Sequence, residues 1–137
     1  MSDPAVSKEL VRRLVEEVMN QRRLDVLAEI YTDRLAGPAR RWIEPFLASF
    51  ADVEMRIVDL VAEGDRVVGR FLCSGTHVGE WLGQAATGRR FHDVPEVYIF
   101  TVREGRIAAA WGVEDTWGRL QQLGLTGDDS GRSSDPA

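Results

Sequence analysis

Apolar positions in the first fifty residues recur with a helical period. In residues 7–20, apolar side chains stand three and four positions apart, and charged side chains fill the other face. This pattern predicts an amphipathic helix with Ser7 as its N-cap. Shorter repeats predict a second helix over residues 24–31 and a third over residues 40–50. Glycine and proline at positions 36–38 predict a break between them, and Pro45 predicts a kink or a shifted start of the third helix.

The period of the pattern changes after residue 52. Residues 53–61 alternate, which predicts a strand with Val53, Ile57 and Val61 on one face, together with Met55 and Asp59. Further strands are predicted over residues 67–76, 90–102 and 106–113, with turns at 63–65 and 103–105. A glycine-rich loop covers residues 79–88, and a last helix over 116–123 ends at Gly124.

Three helices followed by four antiparallel strands predict an α+β fold. A strongly curved sheet of this size can hold the helices on its concave face, and the open end of such a cone forms an apolar pocket. We expect one domain over residues 6–124. Residues 125–137 have almost no large apolar side chain and are expected to form a disordered tail.

Charge and composition narrow the class of partner. The formal net charge is −5 and the basic residues form no stripe, which argues against nucleic-acid binding. No stretch is long and apolar enough for a membrane span, and residues 1–4 do not resemble a secretion signal, so a cytoplasmic protein is expected. Cys73 is the only cysteine and lies among apolar neighbours, which favours a buried, unreactive thiol.

Several short segments carry a family resemblance through their order and spacing. They are EGDRVV at 63–68, GTHVG at 75–79, ATGRR at 86–90, EGRI at 104–107 followed by Trp111 and Asp115, and LQQLG at 120–124. Together they resemble the SnoaL-like polyketide cyclases, which belong to the ketosteroid-isomerase-like, cone-shaped α+β superfamily. The resemblance covers about residues 11–124. It implies a pocket for a flat or apolar natural-product intermediate, and a homodimer, because sheets of this superfamily often pair through their outer faces.

The resemblance also implies a catalytic position. Cyclase members use an aspartate on the last strand as general acid/base in an intramolecular aldol closure, and that position falls on Gly112 here. The supporting glutamine and histidine of the preceding strand fall on Glu96 and Tyr98. This chain therefore departs from the cyclase pattern at the catalytic carboxylate.

Three residues are the candidates for catalysis. Alternation places His92, Val94, Glu96, Tyr98 and Phe100 on one face of the third strand, which the resemblance makes the pocket face. A carboxyl group in an apolar cavity favours its protonated form, which suits Glu96 for acid/base work. Tyr98 could donate to a carbonyl or enolate oxygen, and Glu114 shares a face with Gly112 and could replace the missing aspartate. The alternatives are an exposed or arginine-paired Glu96, a pocket-wall Tyr98 and a solvated Glu114.

Other residues are candidates for the walls of the pocket. The predicted substrate-binding residues are Met19, Trp42, Phe46, His77, Trp81, His92, Phe100 and Gly112. Trp42, Trp81 and Trp111 are interpreted as core or pocket wall. Asp115, directly before the last helix, is interpreted as its N-cap. Two histidines without a spaced carboxylate do not make a metal site, so neither metal nor cofactor is expected.

Three functions remain compatible with the sequence. The first is an enzyme that acts on an apolar polyketide-like metabolite without a cofactor, by cyclisation, isomerisation or epoxide opening. The second is a module of the same fold that binds an apolar ligand without changing it. The third is a protein-binding domain, for which a filled interior without a cavity would be expected.

Overall fold

The computed structural model describes residues 3–126 and has the predicted α+β order. Helix α1, Pro4–Arg13, continues as a π-helical segment, Leu14–Asn20, and a 3-10 turn, Leu24–Val26, leads into α2, Leu27–Ile30. Helix α3, Asp33–Ser49, runs directly into the sheet, whose strands are β1 Phe50–Glu63, β2 Arg66–His77, β3 Arg90–Arg103 and β4 Arg106–Glu114. Helix α4 is Thr116–Gln122.

The sheet is antiparallel throughout, with strand order β1-β2-β3-β4, and it is not closed. The two hairpins that join β1 to β2 and β3 to β4 turn at Gly64 and Gly105, which both have a positive φ. The core lies between the sheet and the N-terminal helices. Its buried apolar residues include the predicted helical stripe, namely Leu10, Val11, Leu14, Val15, Val18 and Met19.

The start of α1 differs from the prediction. The helix begins at Pro4, and the Asp3 carboxylate caps it by accepting from the backbone N–H of Ala5 at 2.9 Å. Ser7 is buried inside the helix rather than capping it. Proline suits the first helical position, because its missing N–H would have no partner there.

Helix α3 also differs, since it passes through the predicted break at 36–38 and contains both Pro38 and Pro45. Each proline removes one intrahelical hydrogen bond. Packing offsets this cost: Ala39 and Leu47 are buried, and Ile43 and Phe46 pack against the core.

Two β-bulges change which side chains face inward. The pairing of β1 with β2 shifts register between Ile57 and Asp59, so Leu60 turns inward and Val61 is 60% exposed, contrary to the predicted alternation. In β3, His92 and Asp93 together lie opposite Ser74, and Asp93 has a φ of +52°.

The end of the described chain agrees with the prediction for the last helix. The Asp115 carboxylate accepts from the backbone N–H of Gly118 at 2.9 Å and is therefore the N-cap of α4. Gly124 has a φ of +74°, which ends the helix. The predicted tail lies, from residue 127 onward, outside the described residues. Over residues 3–126, no helix has the length and apolar character that a membrane span requires.

Candidate active site

An apolar cavity of about 320 Å³ lies between the helices and the concave face of the sheet. The N-terminal helical segments, with the residue directly after α2, contribute Leu14, Val15, Met19, Tyr31, Trp42, Ile43 and Phe46 to its lining. The strands contribute Met55, Phe71, Glu96, Tyr98, Phe100, Ala110 and Glu114. A cavity of this size is within the range of small-molecule sites. The interior is therefore not filled, which removes the observation that would have favoured a protein-binding domain.

The two glutamates of the cavity face each other across neighbouring strands. Glu96 on β3 is the register partner of Glu114 on β4, and Tyr98 is the partner of Gly112. Like charges directly opposite on one sheet face repel each other. This pair therefore needs either a shared cation or a bound proton.

Arg119 of α4 supplies the cation. Its Nη2 donates to Oε2 of Glu96 at 2.9 Å, and its Nη1 donates to Oε1 of Glu114 at 2.9 Å. The side chains of Arg119 and Glu96 are only 1% and 3% exposed, whereas that of Glu114 is 29% exposed. The guanidinium thus binds one deeply buried carboxylate and one that still reaches solvent.

Three aromatic rings enclose the Arg119 guanidinium. Its central carbon lies 4.6 Å from the ring centre of Phe91, 5.3 Å from that of Phe46 and 5.7 Å from that of Trp81. Such contacts attract a cation to the ring faces. The three rings belong to α3, to the loop after β2 and to β3. Together they fix the position of the guanidinium relative to both carboxylates.

Tyr98 completes the network on the cavity side. Its hydroxyl donates to Oε2 of Glu114 at 2.5 Å, a short charge-assisted hydrogen bond. Burial raises the pKa of Tyr98, and the adjacent Glu114 charge raises it further, so the phenol keeps its proton. The resulting chain of contacts runs from Tyr98 through Glu114 and Arg119 to Glu96.

Glu96 is the group that titrates in the physiological range. Burial raises its pKa to about 7, the Glu114 charge adds to the shift, and Arg119 opposes it. Cys73, buried behind Glu96, has a pKa raised by the same burial, so it remains a thiol. Near neutral pH the cluster can therefore bind or release one proton while Arg119 stays charged.

The raised pKa of Glu96 predicts a specific pH dependence of stability. The folded state binds this proton more tightly than the unfolded chain, so its contribution is complete below pH 4.5 and is lost as the pH rises to about 7. The Glu96→Gln variant lacks this loss. We expect the free energy of unfolding of the variant, minus that of the wild type, to increase by about 3 kcal/mol between pH 4.5 and 8.

Urea titrations at several pH values measure this difference. Glu54→Gln is the matched control, because Glu54 is a strand residue whose side chain is 82% exposed. Its difference from the wild type should stay flat with pH. A flat difference for Glu96→Gln as well would contradict the assigned titration.

Gly112 does not line the cavity, and the Tyr98 ring packs directly over its Cα. A Cβ at position 112 would stand 2.3 Å from Cδ2 of Tyr98, so the ring occupies the space that a side chain there would need. The tyrosine can reach Glu114 only because its neighbour on β4 is a glycine.

We therefore expect Gly112→Ala to lower the free energy of unfolding by about 1–3 kcal/mol, the usual cost of overpacking, and to displace Tyr98 from Glu114. Denaturant unfolding and tyrosine fluorescence follow the two effects. Gly37→Ala is the control, because the added Cβ meets only a flexible arginine at 3.6 Å and alanine favours a helix. Equal stability of Gly112→Ala and the wild type would show that the ring has room to move.

The predicted site residues fall into three groups. Glu96, Tyr98, Glu114, Met19, Trp42, Phe46 and Phe100 line the cavity. Trp81 and Gly112 line an adjoining groove instead. His77 and His92 line neither of them.

His92 was expected on the pocket face but is exposed, because the bulge in β3 turns Phe91 inward in its place. Its backbone N–H and C=O both bond to the side chain of Gln122, which fastens α4 to β3. His77 is fully buried, and its Nδ1 accepts from the backbone N–H of Thr87 at 3.2 Å. It therefore holds the loop after β2 rather than contacting a ligand in the cavity.

Two further interpretations need correction or addition. Trp111 is not core or pocket wall but is 61% exposed on the outer face of β4. Arg119 was not among the site residues predicted from the sequence. The sequence feature that could have indicated it is the spacing between Arg119 and Leu123. Residues four positions apart lie on one face of a helix, and Leu123 makes that face apolar. Arg119 therefore falls on the same side of the predicted helix as Leu123, where it can neutralise the inward glutamates of the strands.

Comparisons with known proteins agree with this architecture. The sequence model of the family described as SnoaL-like polyketide cyclase matches residues 9–123. The fold is similar to TsrD from Streptomyces laurentii, with 28% identity and a TM-score of 0.81 over 91% of this chain and 99% of that one. IdmH from Streptomyces antibioticus, a proposed polyketide cyclase, has 26% identity and a TM-score of 0.72 over 90% and 99%.

A protein described as a proposed hydroxylase has the same fold. AclR from Streptomyces galilaeus shares 23% identity, with a TM-score of 0.79 over 89% of this chain and 98% of that one. A comparison with curated proteins found no match. Proteins named for different reactions thus share this architecture, and the reaction has to be argued from the site.

Proposed function

Because the chain belongs to the SnoaL-like polyketide cyclase family, we propose that it is an enzyme of secondary metabolism that acts on an apolar, polyketide-like molecule by acid/base chemistry without a cofactor. One observation carries the proposal: two carboxylates and a tyrosine, joined by a buried arginine, line an otherwise apolar cavity. We place this activity in the cytoplasm.

The roles of the residues follow from their contacts. Glu114 accepts from Arg119 and from the Tyr98 hydroxyl, and it is the general base that takes a proton from carbon next to a ligand carbonyl. The Tyr98 hydroxyl lies beside it and donates to the carbonyl oxygen as negative charge develops there. Glu96, protonated below pH 7, is a second acid at the cavity wall.

The reaction class is enolisation followed by bond formation or migration. The C–H bond breaks toward Glu114, and the electron pair becomes an enolate. The enolate carbon then attacks a second carbonyl of the same molecule, which closes a ring and leaves an alkoxide that takes the proton back from Glu114. In an isomerisation, the enolate instead takes that proton back at another carbon. In an epoxide opening, Glu114 takes a proton from water or from a hydroxyl of the ligand, that oxygen attacks an epoxide carbon as the C–O bond breaks, and the released oxygen accepts from Tyr98 and then takes up the proton. No oxidant or reductant is consumed in any of these steps.

The experiment exposes the protein to a panel of polyketide-like and terpenoid compounds. Native mass spectrometry follows bound mass, and chromatography of the released material detects isomers of equal mass. We expect a bound compound to be released as an altered product, and this conversion to fail in Glu114→Gln. Conversion that survives in both Glu114→Gln and Glu96→Gln would refute the mechanism.

Non-catalytic ligand binding is the second candidate. It is favoured by Gly112, which stands where family cyclases place the catalytic aspartate, and by the Tyr98 ring that fills the vacated space. Recovery of a tightly bound compound unchanged, with no turnover of its relatives, would support this function over catalysis.

We also propose that the protein is a homodimer paired through the outer face of the sheet. Val61, Val68, Ile99 and Trp111 are register partners across the four strands and form one apolar row. Three of these side chains are clearly exposed, an unusual feature for a sheet face without a partner. Light scattering should give twice the chain mass for the wild type and the chain mass for Trp111→Arg. A wild-type monomer would refute the proposal.

A further inference from the structure

A groove of about 590 Å³ adjoins the cavity and shares four of its walls. Trp42, Phe46, Tyr98 and Glu114 line both spaces. The cavity, which we call the inner lobe, lies against the sheet. The groove, which we call the outer lobe, opens between α3 and the loop after β2. The Tyr98–Glu114 hydrogen bond therefore stands at the junction of the two lobes.

The far wall of the outer lobe is held in place by backbone contacts. Trp81 and Gln84 bond to each other through both backbone groups, at 3.0 and 2.9 Å. This closes a tight turn in which Leu82 and Gly83 both have a positive φ. The loop is tied to the end of α3 as well, because Val78 and Gly79 both donate to the carbonyl of Ser49.

The turn presents an apolar side chain to solvent at a conformational cost. Leu82 is 62% exposed and has a φ of +50°, a region that leucine rarely adopts. Trp42, on the opposite wall, is 56% exposed. Two large apolar side chains on a rigid frame thus face a groove continuous with the inner lobe.

The charge of the two lobes restricts the ligand further. Among the described residues that line them there are three glutamates, Glu80, Glu96 and Glu114, and no arginine, lysine or histidine. Arg119 is buried behind these walls and its guanidinium donates to Glu96 and Glu114. An anionic ligand would find no counter-charge at either end, whereas an uncharged one would meet mostly apolar surface.

We propose that the two lobes bind one elongated, non-anionic ligand, with one ring system in the inner lobe, a second flat apolar part between Trp42 and Leu82, and the reacting atoms at the junction. This deepens the proposed function and rests on it for the identity of the reacting atoms. It excludes free polyketide acids as ligands and selects neutral molecules longer than the inner lobe.

Three synthetic probes test length and charge separately, with affinity measured by calorimetry. They are 2-naphthol, 6-phenyl-2-naphthol and 6-(4-carboxyphenyl)-2-naphthol. We expect the added phenyl ring to tighten binding about tenfold or more, because it removes a further ring from water, and the carboxylate to abolish that gain. Equal affinity for the first two probes, or tighter binding of the carboxylate, would overturn the inference, as would no binding by any probe.

A variant at the tip of the loop after β2 tests whether the added phenyl ring binds in the outer lobe. Leu82→Asn keeps a residue that tolerates a positive φ and removes the apolar contact. It should weaken 6-phenyl-2-naphthol about threefold to tenfold and leave 2-naphthol unchanged. Val78→Asn is the control, because Val78 is exposed in the same loop but lines neither lobe. A loss shared by both probes, or equal losses in both variants, would place the phenyl ring elsewhere.

Affinity tests the two-lobed site, and chemical conversion tests the proposed function, so the two can fail separately. Binding that follows the expected order while no compound is ever converted would retain the two-lobed site and refute catalysis. Conversion of short neutral compounds without any gain from length would retain catalysis and refute the outer lobe.

Discussion

Replacing Arg119 by methionine is expected to lower the free energy of unfolding by about 3–5 kcal/mol at pH 8. The change removes the cation that holds down the pKa of Glu96, so this almost fully buried carboxyl group, opposite Glu114, must stay charged without a counter-charge or take up a proton at pH 8. Methionine has a similar length and keeps much of the contact with Phe46, Trp81 and Phe91, so the loss reports mainly on the charge.

The loss should depend on pH and should be reversible by a second change. At pH 5.5 Glu96 binds a proton, because its pKa is about 7 in the wild type and loss of Arg119 raises it further, and the variant should recover part of its stability. Adding Glu96→Gln to Arg119→Met removes the buried charge and should recover part of it at pH 8 too. Urea unfolding at both pH values measures these differences.

An exposed arginine provides the control. Arg106 pairs with Asp33 at 3.3 Å, but their side chains are 45% and 99% exposed. Arg106→Met should cost about 1 kcal/mol or less. If Arg119→Met cost no more than Arg106→Met, the buried network would not be needed to neutralise the carboxylates.

Replacing Glu114 by glutamine is expected to reduce kcat by about 10²–10⁴-fold on any compound that the wild type converts. Glutamine keeps one oxygen that can accept from Arg119, and its amide NH2, in place of Oε2, can donate to the Tyr98 hydroxyl oxygen, so the shape is kept while the proposed base is removed. The dissociation constant of the unreacted compound should change by less than about threefold, since the lost interaction is made in the transition state.

Initial rates from chromatography and affinities from calorimetry separate the two effects. Glu54→Gln is again the control, because Glu54 lies on β1 outside the cavity and should leave both quantities unchanged. A kcat that stays within about threefold of the wild type would assign the base to another residue.

The fold could be predicted well from the sequence, and the errors in the predicted strand faces have identifiable causes. The alternation of Glu96, Tyr98 and Phe100 holds because regular pairing with β2 continues across these residues. It fails at His92, which lies in a β-bulge, and at Val61, which lies beyond one, because a bulge shifts the alternation by one residue without a strong local signal.

The site was predictable only in part, for a different reason. Strand alternation indicates which carboxylates face inward, but it gives no information about their partner. Arg119 lies 23 residues from Glu96 along the chain and meets it through the docking of α4. That contact depends on tertiary packing, as does the passage of α3 through Pro38, where burial outweighs a lost hydrogen bond.

The position of Arg119 along the chain has a consequence during synthesis. All four strands precede it, so the ribosome delivers both glutamates before the cation that neutralises them. A nascent chain that has just completed β4 carries two opposed carboxyl groups, and the sheet can close around them only by taking up protons or by leaving them in water. Emergence of α4 from the exit tunnel is then the event that supplies the cation, so that the two carboxyl groups can be buried without both taking up protons.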